Sequence, residues 1–247
     1  MAKKTYESKD KLVLFIDIMG FKERVNRVDV NELKKQLKLF KTKNNKLKPL
    51  LQSKTDELIH MAQFSDSIVL VTRGGTIEDL NRISKAAAIL MQTGMETGFA
   101  LRGAIAKGKM VFDKEDQLFF GKALVDAYLL EEELSYYGIV FHESVEDIIS
   151  EALVKDMRIP IADIEVPLKK GKSKHYHVSW YEINEIMKIS SIKNKAMEWL
   201  NKLRKTVSGN PRVYLDNTIN VIEAEEKEDI ESTKLYKSNT EFDKFEI

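Results

Sequence analysis

Three observations predict a mixed α+β fold with a mostly antiparallel sheet and helices on one of its faces. Apolar runs of strand length alternate with longer segments of helical period. Two of the strand-like runs abut across a short polar hinge, which is the signature of a hairpin. A 43% apolar content over 247 residues, at formal net charge +1, supplies enough apolar surface for one sizeable core plus an appendage.

Leu12 to Ile18 is apolar throughout except for Asp17, and so predicts a buried strand. Asn31 to Phe40 predicts a helix with Leu33, Leu37 and Phe40 on one side. Leu58 to Thr72 predicts two strands hinged near Ser65 and Asp66. A helical stripe of Leu80, Ile83, Ala87, Leu90 and Met91 marks Glu78 to Met95. Phe99 to Lys107 and Lys109 to Phe112 predict a strand pair around Gly108, Ala123 to Leu134 a helix, and Gly138 to His142 a short strand. A further strand is expected over His175 to Tyr181. The order βαββαβ with extra strands is that of a ferredoxin-like core.

Ile183 to Val207 reads as an amphipathic helix carrying Ile186, Ile189, Met197, Leu200 and Leu203, with Gly209-Asn210-Pro211 as its stop. Beyond it, six acids fall in the nine residues Glu223 to Glu231. The expected division is a principal domain over 1–182, a helical extension over 183–215, and an acidic, polar tail over 216–247 that is loosely ordered or docked on a partner.

Composition narrows the function classes. Without cysteine there is no disulfide framework, thiolate nucleophile or Cys-ligated zinc. No apolar stretch approaches the roughly 20 residues of a membrane helix, and Met1 to Glu7 lacks the apolar core of a signal peptide, so a cytoplasmic protein with no membrane partner is expected. His175 and His177 share one strand face but show no carboxylate neighbour in sequence, which favours a half-exposed strand face over zinc. From Leu33 to Lys54 the chain carries Lys34, Lys35, Lys38, Lys41, Lys43, Lys46, Lys48 and Lys54 and no acid. With a near-neutral chain and no interleaved stacking aromatics, this run reads as a solvated face, and no nucleic-acid partner is expected.

Two aspartates stand out. Asp17 lies in Phe15-Ile16-Asp17-Ile18-Met19-Gly20-Phe21, at the end of an apolar run; Asp66 lies in Phe64-Ser65-Asp66-Ser67-Ile68-Val69-Leu70-Val71, at the start of another. Either alone is an ordinary turn or cap residue. A carboxylate against a buried strand is costly unless paired or metal-bound, and Mg²⁺ is commonly held by one or two carboxylates plus substrate phosphates. Gly20 permits close backbone approach just where a helix begins, offering free amides to phosphate. Arg102, in an apolar strand, reads first as the partner of a carboxylate across the sheet.

These segments resemble the class III nucleotidyl cyclases. Phe15-Ile16-Asp17-Ile18-Met19-Gly20-Phe21 is similar to the family's first metal motif, and Asp66 to its second metal aspartate, which begins a hairpin strand. Leu101-Arg102-Gly103-Ala104-Ile105-Ala106-Lys107-Gly108 resembles its Arg-x-Gly strand and turn, with slightly altered spacing. Gly121-Lys122-Ala123-Leu124-Val125-Asp126-Ala127-Tyr128-Leu129-Leu130-Glu131 is similar to its helix with Ala and Glu on the inner face. The resemblance runs over about residues 11 to 181 in the family's order.

The departures matter as much. Where purine cyclases carry their transition-state Asn and Arg, this chain has Val125 and Leu129, and the purine-reading positions hold Ala62 and Leu118. The resemblance therefore points toward the bacterial anti-phage cyclases that make cyclic UMP or cyclic CMP. It implies that Asp17, Asp66 and the Ile18 carbonyl hold two Mg²⁺ or Mn²⁺ ions per site, and that Met19, Gly20 and Phe21 cradle the phosphates. It further implies that Lys170, or Lys169 in the alternative register, reaches the triphosphate, with Lys122 and Arg102 as further phosphate candidates. Ala62, Gln63, Phe64 and Leu118 would form the base pocket for UTP or CTP, and the sites would lie between the subunits of a homodimer. A catalytically inactive nucleotide-binding module and a purine cyclase remain the alternatives.

Overall fold

The computed structural model describes residues 9–113, 115–182 and 192–225. Strands β1 (Asp10–Ile18), β2 (Ile59–Phe64), β3 (Ser67–Thr72), β4 (Leu101–Lys109), β7 (Ile139–Phe141), β8 (Ile161–Leu168) and β9 (Gly171–Val178) form one seven-stranded sheet in the order β2-β3-β1-β4-β7-β9-β8. Only β4 and β7 run parallel; every other neighbouring pair is antiparallel. The short strands β5 (Val111–Asp113) and β6 (Leu118–Phe120) make a separate hairpin.

Helices α1 (Phe21–Arg27), α2 (Val30–Lys43) and α3 (Lys48–Leu51) fill the β1–β2 connection. The long α4 (Ile77–Thr97) links β3 to β4, α5 (Lys122–Glu133) links β6 to β7, and α6 (Glu146–Val154) links β7 to β8. Two helices close the described chain, α7 (Lys193–Arg204) and α8 over 210–225. A capping box between Thr76 and Asp79 starts α4, and Gly98, at φ 77°, ends it.

The centre of the sheet is buried on both faces because β1 is apolar from Leu12 to Ile18 at every position but Asp17. Leu12, Leu14, Ile16 and Ile18 pack with α4 residues Leu80, Ile83, Ala87 and Leu90. The alternate residues turn to the other face, where Val13 meets Ala123 and Phe15 meets Tyr128 edge-on. Helix α5 therefore lies opposite α4, and the expectation of helices on one face is corrected by this parity. Its buried residues are Ala123, Ala127 and Glu131, spaced by fours, which is the inner stripe expected of it.

Gly103 pairs with Ile16 so closely that a Cβ there would stand 2.6 Å from the Phe15 carbonyl oxygen. Because that neighbour is backbone, Gly103→Ala is expected to cost about 1–3 kcal/mol, the usual toll of overpacking. Urea unfolding monitored by circular dichroism measures it, and an unchanged midpoint would contradict the packing.

Several other expectations are corrected. Gly108 does not hinge a strand pair: it sits inside β4 opposite Lys11, and β5 pairs with β6 instead. Strand β9 begins at Gly171 and ends at Val178, so Ser179 to Tyr181 lie beyond it. Of the expected 183–207 helix, residues 183–191, including Ile186 and Ile189, lie outside the described residues, and α7 covers the remainder to Arg204.

The tail expected from 216 starts inside α8, where Leu215, Thr218, Val221, Ile222 and Glu225 are all buried. The Glu225 carboxylate accepts hydrogen bonds from the Ser179 and Tyr181 hydroxyls and lies 2.8 Å from His177 Nε2. His177 is 1% exposed, so the half-exposed face expected of the histidines holds only for His175. A buried carboxylate is tolerable when its lone pairs are filled in this way. Residues 226–247 lie outside the described residues.

Candidate active site at the β1 terminus

Two backbone features bring Asp17 and Asp66 together. Strand β1 pairs with β3 in a register that sets Asp17 opposite Ser67. The two-residue turn Ser65-Asp66 between β2 and β3, with Ser65 at φ 55°, then hands the Asp66 carbonyl to the Ile18 amide at 3.0 Å. Asp66 thus sits in the turn just ahead of β3. The Asp17 carboxyl is pushed above its usual range by partial burial and then by the neighbouring Asp66 charge, against the opposing pull of Arg102 and the Ile18 amide. Two mutually repelling carboxylates at the edge of a buried strand form a donor set suited to a hard divalent cation. No group of three or more His, Cys, Asp or Glu side chains gathers as a metal cluster among the described residues, so a cation here needs water or substrate oxygens to complete its shell.

Beyond Ile18 the chain turns at Gly20, φ 71°, directly into α1. The Met19 amide donates to the Ala100 carbonyl at 2.9 Å, which removes it from the phosphate cradle expected there. Gly20 and Phe21 amides carry no such backbone bond among the described residues and face the helix start.

Arg102 is Asp17's partner on β4 and only 7% exposed. Its Nε donates to Glu131 Oε1 at 2.5 Å and its Nη1 to the Leu134 carbonyl at 3.0 Å and the Tyr214 hydroxyl at 3.1 Å. The structure therefore corrects Arg102 as a phosphate ligand: a guanidinium so bonded is a structural tie between sheet, α5 and α8. The sequence anticipated a carboxylate partner but placed it across the sheet rather than on the overlying helix. Burial raises the proton affinity of Glu131, and the adjacent Arg102 opposes that rise. Lys122 is likewise committed, to Asp126 one helical turn on at 2.6 Å.

Lys169 and Lys170 form the β8–β9 turn, and the Lys169 amide donates to Glu133 at the end of α5. Neither lysine has a hydrogen bond or ion pair to Asp17 or Asp66 among the described residues. Val125 and Leu129, where the polar pair of a purine cyclase would stand, are 53% and 54% exposed on the outer side of α5, beside Tyr128.

A cavity of about 500 Å³ opens between the β2–β3 hairpin and the β5–β6 hairpin, lined by Ala62, Gln63, Phe64, Phe112, Gln117 and Phe119 among others. Ala62, Gln63 and Phe64, expected in a base pocket, all line this cavity. Leu118, also expected there, is not among the lining residues and is 46% exposed, whereas its neighbours Gln117 and Phe119 line the cavity. Phe119 packs on Phe112 at 4.6 Å, and Phe112 stacks on His60 at 4.9 Å, building an aromatic wall. Sequence reading missed this wall because β5 and β6 are three residues each, too short for a periodic signal.

Among solved structures, the chain is similar to the catalytic core of a rhodopsin-guanylyl cyclase with converted specificity in complex with ATPαS, at TM-score 0.50 and 14% identity over 70% of this chain and 96% of that one. It also matches a bacterial light-regulated adenylyl cyclase, at TM-score 0.47 and 14% identity over 73% of this chain and 56% of that longer one. A third match is an adenylate/guanylate cyclase/hydrolase from Silicibacter pomeroyi, at TM-score 0.42 and 16% identity over 69% and 96% of the two chains. No protein-family profile and no curated protein sequence matches. At such identities the likeness is one of fold, and the chain has the mixed α+β architecture of a nucleotide-cyclase core. No helix among the described residues is long and apolar enough to cross a membrane.

Proposed function

We propose that this chain is a nucleotide cyclase that converts a pyrimidine nucleoside triphosphate, UTP or CTP, into its 3′,5′-cyclic monophosphate and pyrophosphate. The observation that carries the reading is the meeting of Asp17 and Asp66, near two amides without a backbone bond, next to an aromatic-walled cavity whose lining includes Phe64 and Ser67 on either side of the Asp66 turn. Mg²⁺ or Mn²⁺, two per site, would acidify the ribose 3′-hydroxyl and neutralise triphosphate charge. Asp17 and Asp66, with the Ile18 carbonyl, would hold the ions, and the Gly20 and Phe21 amides would hold the phosphates. Positioned in this way, the 3′-oxygen attacks the α-phosphorus in line while pyrophosphate leaves. As in the anti-phage enzymes it resembles, the product would serve as a second messenger.

The pyrimidine preference rests on the cavity chemistry. No charged side chain among the described residues lines it, and Gln63, Gln117 and Ser67 are the polar residues of its lining. A volume of about 500 Å³ also admits a purine, which keeps a purine cyclase as the second reading. The apolar Val125 and Leu129 favour a third, a nucleotide-binding module without turnover. Incubation with each of the four NTPs and Mn²⁺ or Mg²⁺, with chromatography of the products, separates them: a cyclic nucleotide plus pyrophosphate is expected, and no cyclic product with either metal would favour the binding module.

The site is proposed to be completed by a second copy. Phe120, Val125, Tyr128 and Leu129 leave an exposed apolar strip along α5 and the β6 end, and Lys170, or Lys169, would reach the triphosphate from the partner subunit. Mixing Asp17→Asn chains with Lys170→Ala chains is then expected to restore activity through hybrid dimers with one intact site. A monodisperse monomer, fully active at nanomolar concentration, would contradict the shared site.

A further inference from the structure

We propose that Tyr214, on α8, is a positioning residue for the carboxylate pair, acting through Arg102 to keep Asp17 open to a cation. The inference rests on the metal reading above. Asp17 and Arg102 are cross-strand partners whose side chains share one face, the arrangement in which opposite charges ordinarily pair. Such a pair would set the guanidinium against any cation competing for the same carboxylate.

The structure directs the guanidinium elsewhere. Its Nε goes to Glu131, and the two Nη1 hydrogens go to the Leu134 carbonyl and the Tyr214 hydroxyl. No hydrogen bond or ion pair joins Arg102 to Asp17 among the described residues, although the Arg102 charge is felt at Asp17 through space. The Tyr214 ring also lies 5.9 Å from the guanidinium carbon and 5.7 Å from the Tyr137 ring, which fixes where its hydroxyl stands. Glu131 and Leu134 belong to the segment that resembles a cyclase core, whereas Tyr214 comes from a helix beyond it. The last described helix is thereby wired to the carboxylate pair.

Binding of Mn²⁺ alone, followed by the electron paramagnetic resonance of the free ion, tests this without turnover. Tyr214→Phe keeps the ring and removes only the acceptor, freeing one Nη1 hydrogen toward Asp17. Mn²⁺ affinity is expected to fall about three- to tenfold, the worth of one ordinary hydrogen bond. In an Arg102→Met/Glu131→Leu background, where the buried pair is replaced by apolar groups, Tyr214→Phe is expected to leave Mn²⁺ affinity unchanged. Equal affinities for the parent chain and Tyr214→Phe would overturn the inference, as would an effect of equal size in the Arg102→Met/Glu131→Leu background. Should Tyr214→Phe fail to fold, 4-fluorophenylalanine at position 214 is scored in the same way. Mn²⁺ binding untouched by Asp17→Asn would instead overturn the metal site itself.

Discussion

Asp17→Asn and Asp66→Asn chains are each expected to fold and to lose cyclisation by at least ~100-fold, beyond the 10–100-fold that loss of a metal's outer-shell partner costs. Each substitution preserves shape and removes one of the two carboxylates proposed to hold the ions. The sign of the Asp17 shift supplies the control. Its folded-state pKa is raised, first by burial and then by Asp66, so the folded chain holds that proton more tightly than the unfolded chain. Stability from this group therefore falls as pH rises through the window from the ordinary carboxylate value, 3.8, to the raised one, and is lowest above it. Metal-free Asp17→Asn protein at neutral pH is accordingly expected to melt no lower than the parent chain. Steady-state turnover with metal in excess, beside melting curves without metal, checks both halves. More than a tenth of parental turnover in both variants would defeat the assignment.

With all four nucleotides present together, UTP or CTP is expected to be consumed at least ~100-fold faster than ATP or GTP, since a site built on hydrogen bonds to one base edge rejects its competitors by orders of magnitude. Gln63 and Gln117 are the two amide side chains of the cavity lining, with Phe119 and Phe112 walling it, and are the ones proposed to read the base. Gln117 stands at φ 54°, an uncommon conformation for a residue other than glycine, and so its position is set by the β5–β6 turn rather than by its own preference. Gln63→Ala with Gln117→Ala is expected to erode the preference more than the rate with the best substrate. Cyclic AMP or cyclic GMP as the main product of the parent chain would establish the purine reading.

What the sequence revealed and what it hid follow from the range of the interactions. Strand β1, helix α4 and helix α5 were legible because each carries its own local pattern: an apolar run interrupted only at Asp17, an apolar stripe of helical period, and Ala123, Ala127 and Glu131 at intervals of four. Asp17 and Asp66 were legible because each breaks an apolar strand context where a charge is costly. The β5–β6 hairpin was hidden by length and by Gly108, which looks like a turn and is a strand residue. Helix α8 was hidden by the acidic run from Glu223, whose second acid is buried against three donors on a segment some forty-five residues earlier; that pairing leaves no local signal. Tyr214 was missed for the same reason, since its partner Arg102 is 112 residues away in sequence.

Anomalous diffraction at the manganese edge, from crystals grown with Mn²⁺ and a non-reactive triphosphate analogue, tests whether Asp17 and Asp66 hold the ions. Mn²⁺ peaks are expected within about 2.1 Å of carboxylate oxygens of Asp17 and Asp66, the distance of a small hard cation to oxygen, with the Gly20 and Phe21 amides against the phosphates. Nucleotide bound with no manganese at those carboxylates, or manganese held elsewhere on the chain, would contradict that role.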